Sequence, residues 1–200
     1  MVTNHLILAA LWILYCVLHS VLASVSIKHK ARHWMGKSYK HYRLFYTLFA
    51  FAGLIAILLF QINIRPVYLF NQGVITYIVG CFIALAGLII MGICISKYFV
   101  SLSGIKSLVQ ESPSNQLIIT GVHRYVRHPL YLGTFLFIWG LLLLWPLWSL
   151  LITNSIITIY TLAAIKLEED KLIDEFGESY RQYQSSVSKI FPSFKRNPTV

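Results

Sequence analysis

Residues 130–167 run LYLGTFLFIWGLLLLWPLWSLLITNSIITIYTLAAIKL, with one charged side chain near the end. A helix needs about 20 mostly apolar residues to cross the hydrocarbon core of a bilayer, so this stretch is long enough for two crossings. Pro146 stands near its middle, where proline ends a helix, and Trp145 and Trp148 flank it, as tryptophans do at membrane interfaces. The stretch therefore predicts a hairpin of two spanning helices, over residues 130–146 and 147–167.

The rest of the chain has the same apolar character. Hydrophobic residues make up 57% of the 200 residues and the mean hydropathy is +0.67. Soluble domains have an apolar share of roughly 45–50%. Three further segments, at about residues 5–27, 42–62 and 73–96, are long enough to span a bilayer. We expect a single all-α integral membrane domain over residues 1–200, with five transmembrane helices.

The loop charges predict the orientation of these spans. The first connection carries six cations and no acid, and the third carries four cations, whereas the second has one and the fourth has none. Cytoplasmic loops carry an excess of Lys and Arg, so we expect the N-terminus outside and the C-terminus in the cytoplasm. The same pattern explains the net charge of +10 without a nucleic-acid partner. The cations of the first and third connections are Lys28, Lys30, Arg32, Lys37, Lys40 and Arg43, and Lys97, Lys106, Arg124 and Arg127.

The negative charge is concentrated after the last predicted span. Six of the seven acidic residues lie within residues 168–178. Residues 168–183 have the apolar spacing of a cytoplasmic helix that emerges from the membrane, and Gly177 is a point where that helix could break. Adjacent Glu168 and Glu169 at a membrane boundary are costly to desolvate unless a cation lies near them. The alternative interpretation is a solvated acidic turn.

The stretch GVHRYVRHPLYLG, at residues 121–133, stands where the chain re-enters the membrane. Proline is favoured at the first helical position and holds the preceding residue extended, so Pro129 places His128 at the mouth of a span, beside unpaired backbone N–H groups. Arg127 adds a bidentate partner for a carboxylate or phosphate, and Tyr131 adds a hydroxyl. The glycine that ends the stretch leaves room for a flat ligand or a neighbouring helix. In the alternative interpretation, the arginines bind lipid phosphates and the proline only starts a helix.

The C-terminal half of the chain resembles the isoprenylcysteine carboxyl methyltransferase-like superfamily of integral membrane methyltransferases. The likeness covers about residues 120–192 and rests on the R-H-P-x-Y-x-G element followed by E-E. Within the superfamily it is greatest to the bacterial methanethiol S-methyltransferases, which similarly carry a His-Ser pair near the end of the first span, as His19-Ser20 here. The other matching positions are Phe176-Gly177, Tyr180, Tyr183, Val187 and Pro192.

The resemblance implies that S-adenosylmethionine is the cosubstrate, bound at the cytoplasmic ends of the last two spans in a bacterial inner membrane. It makes Glu168, Glu169 and His128 the catalytic candidates, with both glutamates near the ammonium group of the cosubstrate or beside the reacting groups. Arginine, histidine and two glutamates can match the carboxylate, ammonium and sulfonium charges of that molecule. The implied lining of the pocket is Arg127, His128, Tyr131, Gly133, Glu168, Gly121 and Tyr125.

The implied reaction is methyl transfer to a small or membrane-partitioned acceptor, most simply a thiol, whose proton a glutamate or histidine could take. The carboxyl methyltransferases of the superfamily tend to have a basic residue just before the Val of their C-terminal motif. This chain has Gln184-Ser185-Ser186 before Val187, with Arg181 and Lys189 as the nearest cations. This departure favours a thiol as the methyl acceptor over the carboxylate of a prenylcysteine. A prenylcysteine carboxylate and an aminophospholipid stay alternative acceptors. Two other classes stay open: a membrane reductase that uses NADPH and shares the H-P-x-Y-x-G element, and a non-enzymatic membrane protein.

The remaining histidines and the cysteines do not suggest a metal site, since they lack ligand spacing. His19 is the exception among the histidines, because an ionisable residue inside a predicted span is a functional candidate. The alternative role for His19 is a hydrogen bond to a backbone carbonyl or to Ser20.

Overall fold

The structure, a computed structural model, describes residues 2–102, 117 and 119–192, and these contain helices and no strand. Lys106, one of the cations in the orientation argument, lies outside them. The helices in chain order are α1 (Val2–Ala23), α2 (Val25–Met35), the 3₁₀ helix η1 (Gly36–His41), α3 (Tyr42–Ile62), α4 (Val74–Leu102), the 3₁₀ helix η2 (Gly121–Arg124), α5 (Pro129–Leu144), α6 (Trp148–Phe176) and α7 (Glu178–Ser186).

Four of the described helices are long and apolar enough to cross a membrane: α1, α3, the Val74–Ser96 part of α4, and α6. The prediction of an all-helical chain with several spanning helices is confirmed to that extent. The fourth of the five predicted spans corresponds to α5, which has 16 residues. At 1.5 Å per residue this helix is about 24 Å long, short of the roughly 30 Å of a hydrocarbon core.

The predicted hairpin over residues 130–167 forms with its break at the proline. The chain between α5 and α6 is held by residues 67–69: Leu69 N donates to Pro146 O at 2.7 Å and Trp148 N donates to Val67 O at 3.0 Å. These bonds satisfy backbone groups that the proline leaves without a helical partner.

One predicted boundary was wrong. The first span was expected over residues 5–27, but α1 ends at Ala23 because the side chain of Ser24 accepts a hydrogen bond from Ile27 N at 3.4 Å and so starts α2. The helix expected to emerge from the last span over residues 168–183 is present in two parts: α6 continues from the span to Phe176, and α7 begins after Gly177. Gly177 has φ +58°, a conformation that glycine adopts without the steric cost of a Cβ atom, which confirms the predicted break.

The described residues fall into two compact units. The first unit comprises residues 2–72, 98–102 and 145–157, and its core contains Leu8, Trp12, Ile57 and Ile64. The second unit comprises residues 73–97, 117, 119–144 and 158–192. Its core contains Val126, Leu132, Phe135, Ile165 and Ile190.

Within the second unit, α4 and α5 approach closely at glycines. A Cβ atom on Gly87 would lie 2.5 Å from Phe137 N, and one on Gly140 would lie 2.6 Å from Ala84 N. Small residues let helices in a membrane pack backbone against backbone, which substitutes for the hydrophobic effect that lipid does not provide. This packing holds α5, and hence the residues at its N-terminus, against α4.

Candidate active site

The start of α5 is paired with the chain that follows α7. Arg127 N donates to Ser188 O at 2.9 Å and His128 N donates to Lys189 O at 3.0 Å. Val126 and Ser188 form an isolated parallel bridge. Pro129, which has no N–H to donate, then begins α5. The pairing places the side chains of residues 127 and 128 next to the C-terminal segment and next to the polar end of α6.

Glu169 on α6 is the centre of a buried ionic cluster. Its Oε1 atom accepts from Arg127 Nε at 2.8 Å and lies 2.8 Å from Arg127 Nη2 and 3.2 Å from His128 Nε2. Its Oε2 atom lies 3.4 Å from Lys189 Nζ. We call Arg127, His128, Glu169 and Lys189 the Glu169 cluster. Because an ionised carboxylate only accepts hydrogen bonds, His128 Nε2 must carry the proton in this contact.

Arg127 is fully engaged within this arrangement. Its Nη1 atom donates to Gln184 O at 3.0 Å and also to Val187 O. Together with the two contacts to Glu169, these bonds use all three nitrogens of the guanidinium, whose side chain is only 8% exposed. Arg127 therefore ties α6 to the C-terminal end of α7 in this structure, and its expected contact with a cosubstrate stays a prediction.

Glu168 has the opposite environment to its neighbour. Its side chain is 47% exposed, and its Oε2 atom accepts from the Tyr131 hydroxyl at 3.1 Å and lies 3.8 Å from His128 Nδ1. The rings of His128 and Tyr131 are stacked, with centroids 5.6 Å apart. Adjacent residues on a helix point about 100° apart, so one carboxylate of the pair is buried on a cation and the other meets solvent.

The other predicted pocket residues, Gly121, Tyr125 and Gly133, lie close to Arg127 and His128 in the sequence. The space that Gly133 leaves is filled by α4, since a Cβ there would lie 2.9 Å from Met91 Cγ and 3.0 Å from Gly87 O. The sequence left open whether a flat ligand or a neighbouring helix approaches Gly133. The structure shows a neighbouring helix there. Tyr125 is 71% exposed, and Gly121 has φ +61° at the start of η2, where its conformation turns the chain toward residue 126.

Two residues at the site were not among the predicted site residues. Lys189 supplies a cation to Glu169 from two positions after Val187, whereas the family resemblance predicts a cation just before that valine. Tyr180 on α7 is 2% exposed. Burial, and next the negative charge of Glu169, raise the pKa of Tyr180 to about 12. Its phenol therefore stays neutral at physiological pH. The signal for Lys189 is its place in the sequence, because Lys189 and Arg181 are the nearest cations to Val187.

His19 lies in the first unit, where Tyr46 on α3 contacts it. The Tyr46 hydroxyl is 3.0 Å from His19 Nδ1 and 2.9 Å from Nε2. Both residues line a cavity of about 210 Å³, whose other lining residues are apolar or aromatic. A functional role for His19 stays a prediction.

A model of the phospholipid methyltransferase family matches residues 72–179, which is more than half of the chain and includes the positions from Gly121 to Glu169. The chain is 38% identical over 79 residues to a methanethiol S-methyltransferase of Pseudomonas deceptionensis, a match that covers 38% of this chain and 29% of that protein. It is 42% identical over 72 residues to a methanethiol S-methyltransferase of Crocosphaera subtropica, covering 35% and 27%.

A protein-S-isoprenylcysteine O-methyltransferase of Schizosaccharomyces pombe is 37% identical over 79 residues, covering 38% of this chain and 33% of that protein. In each of these three matches the chain thus covers no more than a third of the relative's length. No solved structure gives a significant match.

Proposed function

The chain belongs to the phospholipid methyltransferase family, and on that premise we propose that it transfers a methyl group from S-adenosylmethionine to a small or membrane-partitioned acceptor, most simply a thiol. The observation that carries the proposal is the Glu169 cluster with Glu168 beside it. There, two adjacent carboxylates, a histidine and two cations meet between the start of α5 and the polar part of α6.

The charges at the site fit the amino-acid end of S-adenosylmethionine. When bound, that molecule supplies a methyl group on a positively charged sulfur. Its ammonium group needs an accessible carboxylate, and Glu168 is about half exposed. Its carboxylate needs an accessible cation, and Lys189 is 48% exposed, whereas Arg127 is buried. In this proposal Glu168 and Lys189 hold the amino-acid end, and Arg127 is a positioning residue that keeps Glu169 in place.

His128 is the group that we propose takes the proton of a thiol acceptor. Its Nε2 atom donates to Glu169, so in the neutral ring Nδ1 is the nitrogen with a lone pair, and it lies on the side of the exposed Glu168. A proton acceptor placed in this way contributes roughly 10²–10⁴ to the rate of such reactions. A carboxylate acceptor carries no such proton and would not need this step.

The first test is methyl transfer from labelled S-adenosylmethionine by the purified full chain, offered small thiols, prenylcysteine analogues and aminophospholipids. We expect label on a thiol sulfur. Carboxyl methylation of a prenylcysteine is the second candidate, because Lys189 provides the exposed cation that the sequence lacked before Val187. Reduction that consumes NADPH without any methyl transfer would replace the proposal with a reductase.

The second test separates binding from chemistry. A hydrogen bond to a charged group contributes roughly 1.5–3 kcal/mol, so Glu168→Gln and Lys189→Gln should each weaken binding of S-adenosylmethionine at least about tenfold in calorimetry. Glu178→Gln, an exposed acid on α7, is the matched control and should bind normally. His128→Gln keeps a donor for Glu169 but no comparable base, so thiol turnover should fall at least about 100-fold with affinity retained. Unchanged affinity in both charge variants would refute the site assignment.

The proposed orientation places the N-terminus outside, α5 as the fourth of five spans, and the Glu169 cluster on the cytoplasmic side. The short α5 can be accommodated by local thinning of the bilayer at a modest cost. Alkaline phosphatase, which is active only outside the cytoplasm, should be active when fused after Gln72 and inactive when fused after Lys37. The reverse pattern would overturn the orientation.

A further inference from the structure

The connection between α1 and α3 is a structured basic surface. It consists of α2 and η1, and its exposed cations are Lys28, Lys30, Arg32, Lys37 and Lys40. The described residues of the first unit contain no Asp or Glu. The described part of this surface therefore carries an excess of positive charge.

The helix α2 is amphipathic in a way that directs its cations outward. Ile27, Ala31 and Met35 are spaced four apart, share one face and are half-buried, while the Lys and Arg side chains lie on the exposed side. Trp34 is 88% exposed. An exposed indole beside lysines is the composition of a helix that lies in the headgroup region of a bilayer.

Local contacts keep this surface close to the ends of the two spans. The Tyr42 hydroxyl at the start of α3 donates to Leu22 O near the end of α1 at 2.8 Å. Tyr39 stacks on Tyr42 with centroids 5.8 Å apart, and Arg32 lies over the Tyr39 ring at 5.9 Å. Because α2 is about 16 Å long and both of its flanking helices are long enough to span, the cations cannot move far from the lipid headgroups.

We propose that α2 and η1 form a binding surface for the anionic phosphate headgroups of the bilayer that the chain spans, with Trp34 as its interfacial anchor. The charge of the surface and its tethering at the membrane boundary both favour this occupant over a soluble one. Anionic lipids attract a juxtamembrane Lys or Arg by about 1 kcal/mol, which is about fivefold in association. The inference does not depend on the proposed methyl transfer.

The test is lipid binding to the full chain by native mass spectrometry, with phosphatidylglycerol and phosphatidylcholine of identical acyl chains. We expect the wild-type protein to bind phosphatidylglycerol at least about fivefold more tightly at low salt, with a preference that shrinks as salt screens the charges. The variant Lys28→Gln/Lys30→Gln/Arg32→Gln should lose most of this preference. The matched control Lys166→Gln/Lys171→Gln/Arg181→Gln removes three exposed cations from the second unit and should keep it.

Three results would overturn the proposal: no preference in the wild-type protein, an equal loss in the control, or displacement of phosphatidylglycerol by soluble glycerol phosphate at the same concentration. Equal melting temperatures of the two triple variants check that both are folded.

A second measurement locates Trp34. Its fluorescence, taken as the difference between wild type and Trp34→Phe, should be quenched more by lipids brominated near the headgroup than by lipids brominated near the chain end. Stronger quenching by chain-end bromine would contradict the interfacial position.

Discussion

Replacing Arg127 with Met should destabilise the protein through the charge that it leaves behind on Glu169. The substitution removes both contacts to Glu169 Oε1 and the donors to Gln184 O and Val187 O, at a side chain that is only 8% exposed. Breaking a buried ion pair costs roughly 3–5 kcal/mol, because the remaining charge stays desolvated. Glu169 keeps His128 and Lys189 as partners, so we expect the lower end, about 3 kcal/mol.

The assay is thermal unfolding of the purified chain in detergent, followed by tryptophan fluorescence. For a chain of this size 1 kcal/mol corresponds to about 2–4 °C, so Arg127→Met should lower Tm by about 6–12 °C. Arg181→Met removes an exposed cation from α7 and should shift Tm by no more than about 2 °C.

A double variant identifies the cause. Apolar replacement of both members of a buried ion pair is often neutral, so adding Glu169→Leu to Arg127→Met should restore at least half of the lost Tm. If the double variant instead melts at the temperature expected from adding the two single effects, the uncompensated carboxylate is not what destabilises Arg127→Met, and the reasoning fails.

Three further predictions concern packing and buried tyrosines. Gly87→Ala should cost about 1–3 kcal/mol, because its Cβ would meet backbone atoms of α5, whereas Gly92→Ala, which faces open space, should be neutral in the same melting assay. Tyr180 has its pKa raised from 10.0 to about 12, so between those pH values the unfolded chain has lost a proton that the folded chain keeps. Stability should therefore fall as the pH rises through this window, and denaturation of Tyr180→Phe should show a smaller fall. Tyr183→Phe removes a hydroxyl that donates to His123 O at 2.6 Å, and it should lower the free energy of unfolding by about 1–2 kcal/mol. Tyr125→Phe, at an exposed position, should leave that free energy unchanged. Equal effects of the two substitutions would contradict a stabilising role for the Tyr183 contact.

Local features of the sequence were enough for most of the long apolar helices, although not for α2, η1 or η2. The bounds of α3 agree with the predicted span, and the hairpin breaks at Pro146 as expected, because apolar length and proline act within a few residues. The end of α1 was missed because the apolar pattern continues past Ser24, and the hydrogen bond of its side chain, rather than hydropathy, starts the next helix. The helix that emerges from the last span, and its break at Gly177, were expected, because a change from apolar to charged residues alters the surroundings of a helix without interrupting its backbone.

The sequence by itself predicted the residues of the candidate site: Arg127, His128, Glu168 and Glu169 were all identified from residue type and position. The tertiary structure alone decided which partners and which degree of burial each of them has. Arg127 and Glu169 are 42 positions apart, and their contact depends on the pairing of the start of α5 with the chain after α7, which also brings Lys189 to the site. Such pairing depends on backbone bonds between distant segments, and neither hydropathy nor spacing records them. The buried environment of Glu169 and the exposed one of Glu168 follow from that pairing, although the two residues are identical and adjacent.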